Sequence, residues 1–166
     1  MTATYEASIV TLLSADATLT AILVGGVYAY AFPGRKGISR KYLPDAYANT
    51  SNNPGEDPTY TMLPFCIVKA LDAKPQGQIV MAGPSRTTMS TITPVCIWIY
   101  DNGDAGYDTI DNAYNRIYAD LHTQRVAGSF QILWQPSTQL NQRDADLNDA
   151  AFYRADFNVY GTQPIP

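Results

Sequence analysis

Charge is scarce in this chain. Only 16% of its 166 residues are Asp, Glu, Lys or Arg, with eleven basic against fifteen acidic side chains and a net charge of −4. A soluble domain ordinarily carries roughly 25%. Gripping a phosphate backbone needs Lys and Arg in excess on one face, so that role is excluded as the chain's main business, although nucleic acid can pass nearby without being held. There is one histidine. It is His122, at the end of a helical pattern beside Thr123 and Gln124, with no Ser, Cys or carboxylate recognisably arranged around it. The plain reading is an imidazole at a helix C-terminus, where the dipole favours it. The two cysteines, Cys66 and Cys96, lie inside the apolar runs Phe65-Cys66-Ile67-Val68 and Val95-Cys96-Ile97-Trp98. They read as small core hydrophobes rather than as a disulfide. No apolar run approaches the roughly 18 residues of a spanning helix. The opening Met1-Thr2-Ala3-Thr4-Tyr5-Glu6 lacks the basic region and apolar core of a secretion signal. The expectation is synthesis in the cytoplasm with no membrane partner.

Chemistry is also missing. Neither a G-x-x-x-x-G-K-[ST] nor a G-x-G-x-x-G pattern occurs, so no phosphate-cradling loop is indicated. Asp144-Ala145-Asp146-Leu147-Asn148 imitates the start of a calcium loop, but Asp149 stands where the sharp turn needs Gly and Ala155 where the bidentate Glu belongs. The expectation is no catalytic residue, no cofactor and no metal.

What the chain has is apolar and aromatic material. Hydrophobic residues make up 46%, and twelve Tyr stand against five Phe and two Trp. Tyrosine is favoured where a surface is alternately wet and buried, as between subunits. A chain this long buries roughly 70% of its unfolded surface and can build one sizeable core. The expectation is one α+β domain over 1–166.

Tyr5, Ile9, Leu12 and Leu13 recur at helical spacing, and Ser14-Ala15-Asp16 then breaks the pattern. Asp16 can cap a second short helix through Leu19, Ile22 and Leu23, which Gly25-Gly26 ends. Val27 to Phe32 alternates as a strand. From 33 to 64 the chain is rich in Gly, Pro, Asn and Asp and reads as a long loop insertion. Leu63 to Leu71 is a strand apolar on both faces, hence central. Gln78 to Met81 reads as a short return strand. Thr87 to Tyr100 alternates over a long span, and Pro94 within it marks an edge, a bulge or a strand boundary. Ile110, Ala113, Tyr114, Ile117, Tyr118 and Leu121 define the clearest helix, with Asp108 and Asp111 in its first turn and Arg116 and Asp120 as an i, i+4 pair. Phe130, Ile132 and Trp134 alternate in a strand. Residues 137 to 148 are polar and turn-like. In the last strand Tyr153, Ala155, Phe157 and Val159 form the core face and Arg154, Asp156 and Asn158 the other, with 161–166 as a C-terminal tail. This order predicts a mixed, mainly antiparallel β-sheet flanked by helices.

The insertion concentrates Arg35, Lys36, Arg40 and Lys41, and with Tyr42, Tyr47 and Tyr60 these are the candidate partner-contact residues. The basic group suits an acidic partner or transient contact with DNA.

Ile9-Val10-Thr11-Leu12-Leu13-Ser14-Ala15-Asp16-Ala17-Thr18-Leu19 followed by Gly25-Gly26-Val27-Tyr28 resembles the opening of phage tail terminator (tail-completion) proteins. Leu63-Pro64-Phe65-Cys66-Ile67-Val68, the strand Val95 to Tyr100, the amphipathic helix after Asp104, and Arg143-Asp144 with Phe152-Tyr153-Arg154-Ala155-Asp156-Phe157 are similar in kind. The resemblance implies a virion protein that forms a ring, usually a hexamer. Such a ring caps the last layer of tail tube protein, faces the head-tail connector or stopper with its other side, and lets DNA pass through its lumen without specific binding. Alternatives in view are another neck component, a stopper or adaptor, and a soluble α+β domain binding a small ligand in a concave pocket.

Overall fold

The computed structural model describes residues 2–30, 37–38, 41–49, 60–76, 88–104, 106–147 and 149–164. Helix α1 (Thr2–Ala15) ends at Asp16, whose side chain accepts the Thr18 N–H and caps α2 (Ala17–Ile22), as the Ala-Asp break predicts. Ile9, Leu13, Leu19 and Leu23 from these two helices are fully or almost fully buried. The turn after α2 is fastened to the sheet by Gly25 N–H to the Pro64 carbonyl at 2.8 Å.

Among the described residues, nine strands follow the mixed pattern. They are β1 (Val27–Ala29), β2 (Tyr47–Asn49), β3 (Tyr60–Met62), β4 (Phe65–Ala70), β5 (Lys74–Pro75), β6 (Thr88–Asp101), β7 (Ser129–Trp134), β8 (Gln139–Asp144) and β9 (Ala150–Pro164), with helix α3 (Asp108–Leu121) between β6 and β7. The main sheet runs β1-β4-β6-β9-β7, with β5 added to β6 and β8 to β9. The β1–β4 pair is parallel, and β4–β6, β6–β9, β7–β9 and β8–β9 are antiparallel.

Side-chain alternation divides the core between the two faces of this sheet. Cys66 and Val68 of β4, Val95, Ile97 and Ile99 of β6, and Tyr153, Ala155, Phe157 and Val159 of β9 meet α1, α2 and α3 on one face. Ile110, Ala113, Ile117 and Leu121 supply the buried stripe of α3, each large side chain worth ~1.5–3 kcal/mol when fully buried. On the other face Phe65, Ile67 and Tyr100 pack with Leu43, Ala46 and Met62. Strand β4 is therefore apolar on both sides because both sides are covered. Cys66 and Cys96 are free and buried, one toward each face.

Pro94 sits inside β6, paired with Asn158 of β9 along an unbroken ladder. The boundary it signals exists on the other side alone. The β4 ladder stops at Ala70 opposite Val95, and β5 rejoins at Lys74 opposite Ile92. A strand residue's N and O point the same way, so the Pro94 carbonyl, which accepts Leu71 N–H at 2.8 Å, marks where its missing donor also points.

Four sequence readings need correction. The first strand stops at Ala29, and Tyr30 already turns. The 33–64 insertion is not loop throughout, since a 3-10 turn at Pro44–Ala46 leads into β2, which pairs with β3 in a separate two-stranded sheet. Residues 137–148 contain β8 and a 3-10 turn at Ala145–Leu147 rather than turns alone. The presumed tail from 161 continues β9, whose Gly161 to Pro164 pair with Thr91 to Thr88. The return strand read at Gln78 to Met81 lies outside the described residues.

Candidate assembly interface

The partner-contact residues read from the sequence divide three ways. Arg35, Lys36 and Arg40 lie outside the described residues. Lys41 holds its ammonium 5.6 Å from the centre of the Tyr42 ring, a cation–π arrangement at the surface. Tyr47 is half-buried against the second core, where it lines a cavity of about 160 Å³ with Met62, Leu147 and Ala150. The backbone of Tyr60 pairs with Asn49, and its side chain lies outside the described residues. Of these seven positions, the structure brings Tyr47 and Tyr60 onto adjacent strands of the small sheet and sets Lys41 against Tyr42.

A different set of apolar residues is exposed. At one side of the main sheet, Phe130 of β7 is 52% exposed and Leu140 of β8 41%. On the opposite side, Val24, just ahead of β1, is 58% exposed and Leu71, just past β4, 38%. Phe130 leaves the apolar alternation of its strand because the β7–β9 register shifts between Ser129 and Gln131. The bulge turns Phe130 outward while Ile132 stays fully buried. Strand β8 is exposed over nearly its whole length and is held through its ladder to β9.

The sheet is fixed to its helices by polar contacts. Tyr153, in the core face of β9, sends its hydroxyl to Asp111 Oδ1 of α3 at 2.6 Å, with the Asn141 side-chain amide 2.9 Å away. Burial first, and then the Asp111 carboxylate, push the Tyr153 hydroxyl well above the usual phenol range. On the outer face Arg154 grips Asp156 through two hydrogen bonds of 2.9 and 2.7 Å. Burial works to raise the Asp156 carboxyl, and the Arg154 bond with others outweighs it and lowers the group. His122 forms the C-cap of α3, accepts the Trp134 N–H on Nδ1 at 3.1 Å and stacks on Tyr118 with ring centres 4.7 Å apart.

Charge is unevenly placed along the strands. The end where β6 finishes and α3 begins carries Asp101, Asp104, Asp108 and Asp111, and the β8–β9 connection beside it adds Asp144, Asp146 and Asp149, with Arg143 among them. Asp146 N–H closes on Asp144 Oδ1 at 3.1 Å, an Asx turn. Among the described residues no group of three or more His, Cys, Asp or Glu could hold a metal ion. Among the described residues no helix is long and apolar enough to cross a membrane. A shallow groove of about 620 Å³ runs over Pro75, Ile92 and Pro94 on the outer face, where Lys74 is the one titratable group among the described residues of its lining. Those described residues include no acid–base pair.

No protein-family model matches the sequence. No curated protein matches it either. Among solved structures, the chain is similar in fold to one from "Virion of native gene transfer agent (GTA) particle", at 13% sequence identity and a TM-score of 0.57, over 97% of this chain and 96% of that one. The shared architecture is thus an α+β fold matched nearly end to end.

Proposed function

We propose that the chain is a structural, non-enzymatic subunit of a phage-like virion, acting as a tail terminator. It forms a ring, of six copies in the reading the resemblance implies, that caps the last layer of tail tube protein and presents its other side to the head-tail connector. The observation that carries this reading is the end-to-end correspondence in fold with a chain of a gene transfer agent virion. A ring closes when one surface of each copy meets a different surface of the next. Exposed Phe130 and Leu140 at one side of the sheet, and Val24 and Leu71 at the other, supply two unlike surfaces of that kind. The aspartate-rich end of the sheet and the net charge of −4 suit a lumen through which DNA passes without adhering.

Adding the purified chain to polymerising tail tube protein tests the proposal. Tubes that stop lengthening, with extra density capping one end, are expected. Tubes that grow unchanged and carry none of this chain would contradict it.

A further inference from the structure

Asp16 is tied on two sides. Its Oδ1 accepts the Thr18 N–H at 2.8 Å and starts α2, while its Oδ2 is bridged by Arg116 Nε of α3. One turn further along α3, Asp120 Oδ1 lies 3.5 Å from Arg116 Nη2. Two carboxyl groups therefore face one guanidinium. Among the described residues the second oxygen of Asp120 is buried and meets no hydrogen-bond donor. A charged oxygen in that position is unfavourable, both for its lost solvation and for the Asp16 carboxylate beside it. A proton shared between Asp120 and Asp16 relieves both.

The charged groups that face Asp120 are Asp16, from the α1–α2 junction, and Arg116, on its own helix. Other titratable groups on the packed elements are engaged elsewhere. Tyr5 of α1 donates to the Gly128 carbonyl at 2.9 Å, Glu6 accepts the Ala70 N–H at 3.0 Å, and Tyr153 of β9 is bound to Asp111 at the far end of α3. The side chains of β6 and β7 in the core beneath α3, Val95, Ile97, Ile99 and Ile132, are apolar.

We propose that Asp16, Arg116 and Asp120 form a proton-operated latch between α2 and α3, closed while the two carboxyls share one proton and loosened when that proton is lost to solvent. Burial, and then Asp16, carry Asp120 up to about 6. The Arg116 hydrogen bond, ahead of all else, takes Asp16 down to about 2. Asp120 is raised above its unfolded value, so the stability it contributes is complete below the ordinary carboxylate range and is lost as pH rises through about 6. Asp16 works in the opposite sense, its contribution being lost as pH falls through about 2. The latch matters because α2 has six residues and buries one side chain, Leu19. The chain leaves α2 through Gly25 straight into edge strand β1, so a loosened α2 frees that side of the sheet. This inference is independent of the tail-terminator reading.

Carboxyl carbon-13 NMR titration, combined with hydrogen exchange of the Thr20 and Leu23 amides of α2, tests it. In the unmodified protein Asp120 should titrate near 6, and protection of those two amides should fall by roughly tenfold as pH rises through that midpoint. Asp120→Asn keeps a hydrogen-bond donor without the charge, and should leave their protection independent of pH. Asp16→Asn keeps the helix cap but removes the like charge, and should return Asp120 toward the ordinary carboxylate range. Should Asp120→Asn fail to fold, the titration of the unmodified protein and of Asp16→Asn decides. An Asp120 midpoint in the ordinary range, or α2 protection that ignores it, overturns the proposal.

Discussion

Tyr153 and Asp111, 42 positions apart in sequence, meet at 2.6 Å where the core face of β9 touches the first turns of α3. The ring of Tyr153 stacks on Tyr107 and lies edge-on to Tyr114, and its hydroxyl reaches Asp111 from within this aromatic group. Tyr153→Phe preserves the stack and strands the Asp111 oxygen. The expected loss is about 1–3 kcal/mol, read as a lowered urea midpoint at unchanged slope. A midpoint equal to the parent's would show that the bond does not hold α3 to the sheet.

Gly25 lies against the chain ahead of β4 so closely that a Cβ there would sit 2.9 Å from the Pro64 carbonyl oxygen. That oxygen is backbone and already accepts the Gly25 N–H. Gly25→Ala is expected to destabilise by about 1–3 kcal/mol. Gly106→Ala, with open space around it, serves as control and should change stability by less than about 0.5 kcal/mol in thermal melts.

Both thiols should be silent in the native protein. Burial pushes Cys66 up to about 12, and burial followed by the Asp156 charge pushes Cys96 up to about 11. The thiolate is the reactive form, so a thiol-specific reagent at mildly alkaline pH should label neither residue until denaturant is added, when both react. Rapid labelling under native conditions would contradict the buried placement of Cys66.

Phe130→Asp and Leu140→Asp put charge where the proposed ring interface has exposed apolar side chains. Neither residue packs into the core, so melting temperature should shift by no more than surface changes do, about 0.5 kcal/mol in stability. Self-association should weaken strongly, because a charge facing apolar surface must be desolvated without a partner. Sedimentation velocity separates the two effects. Full-strength association in both variants would remove this side of the sheet from the interface.

The elements legible in the sequence are those whose period is enforced by one buried face. Helix α3 was readable because Ile110, Ala113, Ile117 and Leu121 all go into the core, and β9 because Tyr153, Ala155, Phe157 and Val159 do. Asp16 announced itself as a cap by residue type and position. Strand β8 was not readable, since Gln139 to Arg143 are all exposed and only backbone pairing defines it. The three-residue strands β2 and β3 are too short for alternation to show. Phe130 fits the alternation of β7 on paper, and the bulge beside it, which sequence does not signal, turns it out of the core. The i, i+4 pair Arg116–Asp120 was visible, while the stronger tie from Arg116 to Asp16 spans 100 positions and needed the fold. The polar segment around Tyr47 does not signal that its ring packs against the second core, because that core is assembled from distant strands.

In the proposed assembly, copies of this chain join side to side through unlike edges of the sheet into a closed ring. Native mass spectrometry of the purified protein over a range of concentrations tests it most directly. A single discrete assembly at an integer multiple of the 18.2 kDa chain, six-fold in the expected case and lost in Leu140→Asp, is the predicted result. A protein that remains monomeric at every concentration, or forms only a two-fold dimer, would contradict the account.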